Sequence, residues 1–115
     1  MSSYLHVLPI IDDEYESLVS EQGLSLDGIE RGKLPTQRDF DNAVSEVEPY
    51  EYRFDDEYGV MHLRMSTPEE LYKIISSVAC SCGAQLVTTD DMELFIFRPE
   101  TTLVEFRDSA LFAYE

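Results

Sequence analysis

The sequence predicts an α+β domain: a mainly antiparallel sheet built from hairpins, helices packed on one side, order β-α-α-β-β-α-β-β-α. Three observations predict it. Apolar and polar residues alternate on both sides of Asp55-Asp56-Glu57-Tyr58, the pattern of a hairpin. Thr67-Pro68-Glu69-Glu70 opens a run whose apolar residues recur at helical spacing, with Gly83 placed to stop it. Strands joined through hairpins, with helices between the hairpins, belong to the α+β class rather than to a parallel sheet.

Tyr4–Ile11 is rich in β-formers and reads as the first strand. Pro9 lacks an N–H, which suits an edge position or an end of the ladder. Asp12 or Asp13 then caps a helix over Glu14–Gln22. Asp13 and Glu16 have capping-box spacing, Tyr15, Leu18, Val19 and Gln22 make one face, and Gly23 ends it. Leu24–Pro35, with two glycines and a proline, reads as a loop. A second helix starts at Thr36, which forms a capping-box pair with Asp39. Phe40, Ala43, Val44 and Val47 follow at helical spacing, and Pro49 closes it.

In the first hairpin the pairing Phe54–Met61, Tyr52–Leu63 and Tyr50–Met65 turns all six apolar residues to one face. The same register sets Glu51 opposite Arg64 and Arg53 opposite His62, with Asp56–Gly59 as the turn. In the helix after Thr67, Leu71, Ile74, Ile75, Val78, Ala79 and Cys82 form one apolar stripe. Gln85–Thr89 and Met92–Phe97 make a second hairpin around Asp90-Asp91. Its strands are apolar on both faces, which places them centrally in the sheet. The tail, with Leu103, Phe106, Ala110, Leu111 and Tyr114 in step, reads as a helix, although its threonines, valine and phenylalanines also suit two short strands.

At 115 residues, 43% of them hydrophobic, residues 1–115 form one domain with a modest core. No apolar run approaches the roughly 20 residues of a membrane-spanning helix. The start, MSSYLHVLPII, lacks a basic segment and a small-residue cleavage site, and so does not read as a signal peptide. Two cysteines, Cys80 and Cys82, point to different faces of one helix and make no disulfide framework, which suits a reducing cytoplasm. Cys82 continues the core stripe, and Cys80 reads as partly buried.

Charge is the outlying property. Twenty-four acids against eight bases give −16. Such a field repels phosphates and anionic membranes and attracts basic surfaces, so nucleic acid and membranes are disfavoured as direct partners and a basic protein, or a multivalent cation, is favoured. The acids are unevenly placed. Between Asp39 and Gly59 stand Asp39, Asp41, Glu46, Glu48, Glu51, Asp55, Asp56 and Glu57 against one base, Arg53. Tyr58 lies at the turn among them, and these eight acids with Tyr58 are the candidate partner-binding residues. An exposed tyrosine supplies contact area, and carboxylates steer association with Arg or Lys.

Other chemistries have weaker signatures. Asp12–Tyr15 and Asp55–Tyr58 share the letters DDEY, and Asp90-Asp91-Met92-Glu93 is similar, but their flanks differ, so they are no repeat. A metal-dependent hydrolase requires such carboxylates to converge from separate elements. There is no calcium-loop pattern, P-loop, G-x-S-x-G or G-x-G-x-x-G, and no cofactor or metal ligand set is assigned. His6 and His62 read as strand residues. The function expected is therefore a small acidic inhibitor, of the kind that neutralises a cationic bacterial toxin or nuclease, or mimics nucleic acid toward one. A metal-dependent hydrolase and a regulatory or assembly subunit are the alternatives.

Overall fold

Along Tyr4–Pro9 (β1) in a computed structural model of the protein, Leu5, Val7 and Pro9 are buried and Tyr4, His6 and Leu8 are half-buried. The model describes residues 4–45, 47 and 52–112. Period-two burial is what a strand with one core face produces. β1 pairs antiparallel with Val60–Arg64 (β3) on one side and with Gln85–Thr89 (β4) on the other. Tyr52–Asp55 (β2) lies outside β3 and Leu94–Phe97 (β5) outside β4, giving the order β2-β3-β1-β4-β5. The first strand is thus central, not an edge. Pro9 is accommodated by the other route, as the last ladder residue, opposite Gln85. β4 is interior as expected, but β5 is an edge strand whose two faces are both covered by the rest of the chain.

The first hairpin has the predicted register, with Tyr52 opposite Leu63, Arg53 opposite His62 and Phe54 opposite Met61. The expected pairs Tyr50–Met65 and Glu51–Arg64, and the stop at Pro49, involve residues outside those described.

Each sheet face carries its own core. On one face, Leu5, Val7, Met61, Leu63, Val87 and Phe97 meet the helices Gln37–Val44 (α2), Pro68–Cys82 (α3) and Leu103–Arg107 (α4) and a 3₁₀ turn at Ala110–Phe112. Phe97, Phe106 and Phe112 stack edge-to-face within it, at centroid distances of 5.3 and 5.1 Å. The helix Glu16–Glu21 (α1) goes to the opposite face. There Val19, Leu26 and Ile29 cover Leu8, Leu86, Leu94 and Ile96. One-sided packing therefore holds for three helices and fails for α1. The reason is the apolar outer face of β4 and β5, which has to be covered by something. The segment read as a plain loop supplies much of that cover through Leu26 and Ile29.

Local signals set the helix ends. Thr36 accepts a hydrogen bond from the Asp39 N–H, and the Asp39 carboxylate accepts one from the Thr36 N–H, completing the capping box. Thr67 caps α3 with Pro68 in its first turn, and Gly83, at φ +100°, ends it. Thr102 and Glu105 form a further capping box on α4, so the tail is helical over Leu103–Arg107, but it breaks at Asp108 before the 3₁₀ turn at Ala110–Phe112 instead of continuing as one helix; Tyr114 lies outside the described residues. The expected box on α1 is absent. That helix starts only at Glu16, because Asp13 pairs with Arg31 at 2.6 Å and Asp12 accepts the Glu14 N–H instead. Cys82 is buried, whereas Cys80 is exposed rather than partly buried. No helix among the described residues is long and apolar enough to cross a membrane.

Gly32 passes tightly between the end of β1 and the end of α3. Its N–H donates to Ile10 O at 2.9 Å, and the next N–H, of Lys33, donates to Cys82 O at 2.8 Å. A Cβ at Gly32 would stand 1.9 Å from Cys82 O, a backbone atom that cannot step aside. Gly32→Ala is expected to cost about 3 kcal/mol or more, the upper range for overpacking. Gly23→Ala meets open space and costs only the strain of its φ of +78°, about 1 kcal/mol. Urea denaturation compares the two, and equal losses would contradict the tight crossing.

Candidate functional site

The acidic segments on α2 and on the first hairpin are joined in space by aromatic packing. Phe40 of α2 stacks on Phe54 of β2 at 5.1 Å with planes 13° apart, and meets Tyr52 edge-on at 5.1 Å. The hairpin turn is held down as well. Gly59, at φ +65°, approaches so closely that a Cβ there would lie 2.8 Å from Pro35 and 2.9 Å from Leu34. Leu34 and Pro35 directly precede the Thr36 cap. The start of α2 and the tip of the hairpin therefore form one face.

The predicted residues divide on this face. Asp41, Asp56, Glu57 and Tyr58 are exposed, Tyr58 by 62%. Asp41 accepts from the Gln37 side chain at 3.0 Å, one turn back on α2. Asp39 and Asp55 are only partly exposed and have local duties. Asp39 is the helix cap, and the hydrogen bond from the Thr36 N–H holds its carboxyl below the usual range. Asp55 accepts the Glu57 N–H at 3.0 Å and shapes the turn. Glu46, Glu48 and Glu51 lie outside the described residues. Leu34 and Tyr52, each 40% exposed, add apolar area that sequence reasoning did not assign to the site. Tyr52 was expected in the core. It does face the core side, but it stands on the edge strand, where nothing covers it fully. Arg38, also exposed on α2, offsets one of the acids.

The three carboxylate clusters do not converge. β1 ends at Pro9, and Asp12 follows it. The β2–β3 turn lies at that same end of the sheet, because Met61 pairs with Val7. The Asp90-Asp91 turn lies at the other end, because Thr89 pairs with Leu5. Those two pairing levels are two residues of β1 apart, roughly 7 Å, and the two turns continue outward from them in opposite directions. Among the described residues no three His, Cys, Asp or Glu side chains gather in a way that could hold a metal ion. The Cys82 thiol is pushed up to about 11, first by burial and then by the Asp39 carboxylate, which accepts from it, so it is no nucleophile at neutral pH.

A second constellation lies on the sheet face opposite α2, α3 and α4, toward the β2–β3 edge. His6 Nδ1 and His62 Nδ1 are 2.8 Å apart across the β1–β3 pairing. Asp90 Oδ1 is 2.7 Å from His6 Nε2. Tyr4, His6, Tyr52, Arg53 and His62 line a cavity of about 470 Å³ beside the pair. Sequence reasoning missed this contact because it left the first strand open between an edge position and a ladder that ends at Pro9, and so named no partner strand for it. The available signal was parity: each histidine sits between two core-facing residues, Leu5 and Val7 or Met61 and Leu63, and so points to the other face.

The chain matches no family model, no curated protein and no solved structure. Its functional reading therefore rests on its own residues.

Burial lowers the pKa of His62 from 6.5, and Arg53 and His6 add to the shift, against a smaller opposing pull from Asp55. Above pH 6.5 folded and unfolded chains both keep this ring neutral. Below it the unfolded chain takes up a proton that the folded ring resists, so stability falls as pH drops through 6.5 toward the folded pKa. Thermal unfolding of the protein and of His62→Gln across pH 7.5 to 5, values chosen to bracket the ordinary histidine range of about 6.5, isolates this contribution. The gap between them should shrink with acidification, and a constant gap would contradict the assignment.

Proposed function

We propose that this chain is a small acidic binding protein that occludes a cationic surface of a protein partner, in the manner of an immunity protein neutralising a toxin or nuclease in the cytoplasm. One observation carries the reading: the acids of α2 and of the hairpin tip share a face with exposed Tyr58, Leu34 and Tyr52. A merely solvated acidic surface has no need of three large side chains standing among its carboxylates. Binding sites combine the two, because aromatic and aliphatic groups supply burial while charges steer encounter and reject wrong partners.

The mechanism follows from the chemistry of the face. The overall charge of −16 accelerates approach to a cationic cleft at low salt. Asp41, Asp56 and Glu57 then stand where the cleft otherwise receives phosphate groups, and Tyr58 at the rigid turn fills apolar space between them. Occlusion requires no bond-making step.

Binding to a panel of cationic ribonucleases and deoxyribonucleases, measured at low and at physiological salt, tests this. Saturable binding that weakens with salt is expected for at least one of them. Asp56→Lys with Glu57→Lys should slow association by about tenfold or more, and Tyr58→Ala should speed dissociation by about tenfold, the size of a 1.4 kcal/mol contact. Absence of binding across the panel at low salt, or indifference to all three substitutions, would contradict the reading.

A further inference from the structure

We propose that His6 and His62 form a binding site for a late first-row transition-metal ion, such as Ni²⁺, Zn²⁺ or Cu²⁺, with Asp90 as its positioning residue. The two Nδ1 atoms lie 2.8 Å apart. Imidazole nitrogens 2.0–2.1 Å from a common metal are separated by about 2.9 Å at a right angle and about 3.3 Å at a tetrahedral one. An ion that binds both nitrogens sits off the line between them; it parts them by no more than about 0.5 Å, and the rings, whose centroids 5.1 Å apart leave the two nitrogens facing each other, each turn by roughly 35–45° to aim at it. The rings are carried by adjacent, directly paired strands, so the separation is set by the sheet rather than by a loop.

Asp90 supplies the second half of the argument. Its carboxylate, 2.7 Å from His6 Nε2, accepts a hydrogen bond from the Nε2–H and so favours the tautomer that leaves a lone pair on Nδ1. A carboxylate behind the distal nitrogen is the arrangement that orients metal-bound imidazoles and raises their basicity. Without metal, the His62 Nδ1–H donates to His6 Nδ1. With metal, that hydrogen passes to His62 Nε2, a tautomer change with no change of charge.

The surroundings define what completes the coordination. The pair offers two ligands, so the remaining positions belong to water or to a ligand brought by another molecule. Arg53, opposite His62 and lining the same cavity, favours an anionic oxygen such as a carboxylate. Asp55 and Asp90, with the overall charge of −16, offset the repulsion that Arg53 exerts on the cation. The site lies on the sheet face opposite α2, so it stands or falls separately from the partner-binding face.

Calorimetric titration of the tag-free chain at neutral pH with Ni²⁺, then with Cu²⁺ and Co²⁺, is the test. One ion per chain is expected at this site, with affinity in the order Cu²⁺, Ni²⁺, Co²⁺. His6→Ala and His62→Ala should each remove it, and Asp90→Asn should weaken it by roughly 10- to 100-fold. Ni²⁺ binding of unchanged stoichiometry in both histidine variants would place the ion on surface carboxylates and overturn the proposal. Unchanged affinity in Asp90→Asn would overturn the role of Asp90. Paramagnetic broadening by substoichiometric Ni²⁺ in the unmodified chain needs no variant to fold. The ring signals of His6 and His62 should broaden first, and broadening first at the acidic clusters would refute the site.

Discussion

The pairing of β1 with β3 and β4 is the constraint on which the rest of the structure depends. Successive residues of this one strand serve three purposes. Leu5 and Val7 enter the core beneath α2, α3 and α4, Leu8 enters the second core beneath α1, and His6 reaches His62 and Asp90. A one-residue slip in either pairing would exchange these roles, putting leucine and valine into water and the histidine into the core. Burial on both faces is what makes β1 the centre, and Ile10, just past its end, is tied to the α3–β4 junction by its N–H bond to Ala84 O.

That arrangement also sorts the charge. Carboxylates at helix starts and turns have structural duties: Asp39 and Glu105 complete caps, Asp12 and Asp55 shape turns, and Asp13 holds Arg31. Among the acids without such duties, Asp41, Asp56 and Glu57 are exposed on α2 and the hairpin tip, which are brought together by Phe40 on Phe54 and by the close approach of Gly59 to Leu34 and Pro35, while Glu14, Glu21, Asp27, Glu30 and Glu69 are exposed elsewhere. Distant segments of the chain thus make one surface, which carries three exposed large side chains, Leu34, Tyr52 and Tyr58, whereas Met92 stands alone among the acids of Asp90–Glu93 and Ile11 alone beside Asp12.

Much of the fold was legible where a local rule had a single outcome. Thr36 with Asp39 and Thr67-Pro68 with Glu70 could only be helix starts, and the alternation around Asp55–Tyr58 admitted one register. Long-range choices were less legible. The sequence contains no local mark that tells a proline at a ladder end from a proline on an edge, and so β1 was not placed at the centre. Asp13 looked like a cap because a distant partner, Arg31, cannot be seen from spacing. For the site, exposure of Tyr58 followed from its place in a turn, whereas Asp39 and Asp55 were counted as surface charges although local hydrogen bonds claim them. The His6–His62 contact depended entirely on the strand order, which is why it was missed.

The central claim, that one face rather than the whole acidic surface binds a cationic protein, is tested most directly by amide chemical-shift mapping. The labelled chain is titrated with a cationic nuclease that binds it. Changes concentrated at Leu34–Asp41 and Phe54–Gly59, with little at Asp12–Glu14 or Asp90–Asp91, are the expected result. Changes spread over all three acidic clusters in proportion to their charge, or centred on the opposite sheet face, would contradict it.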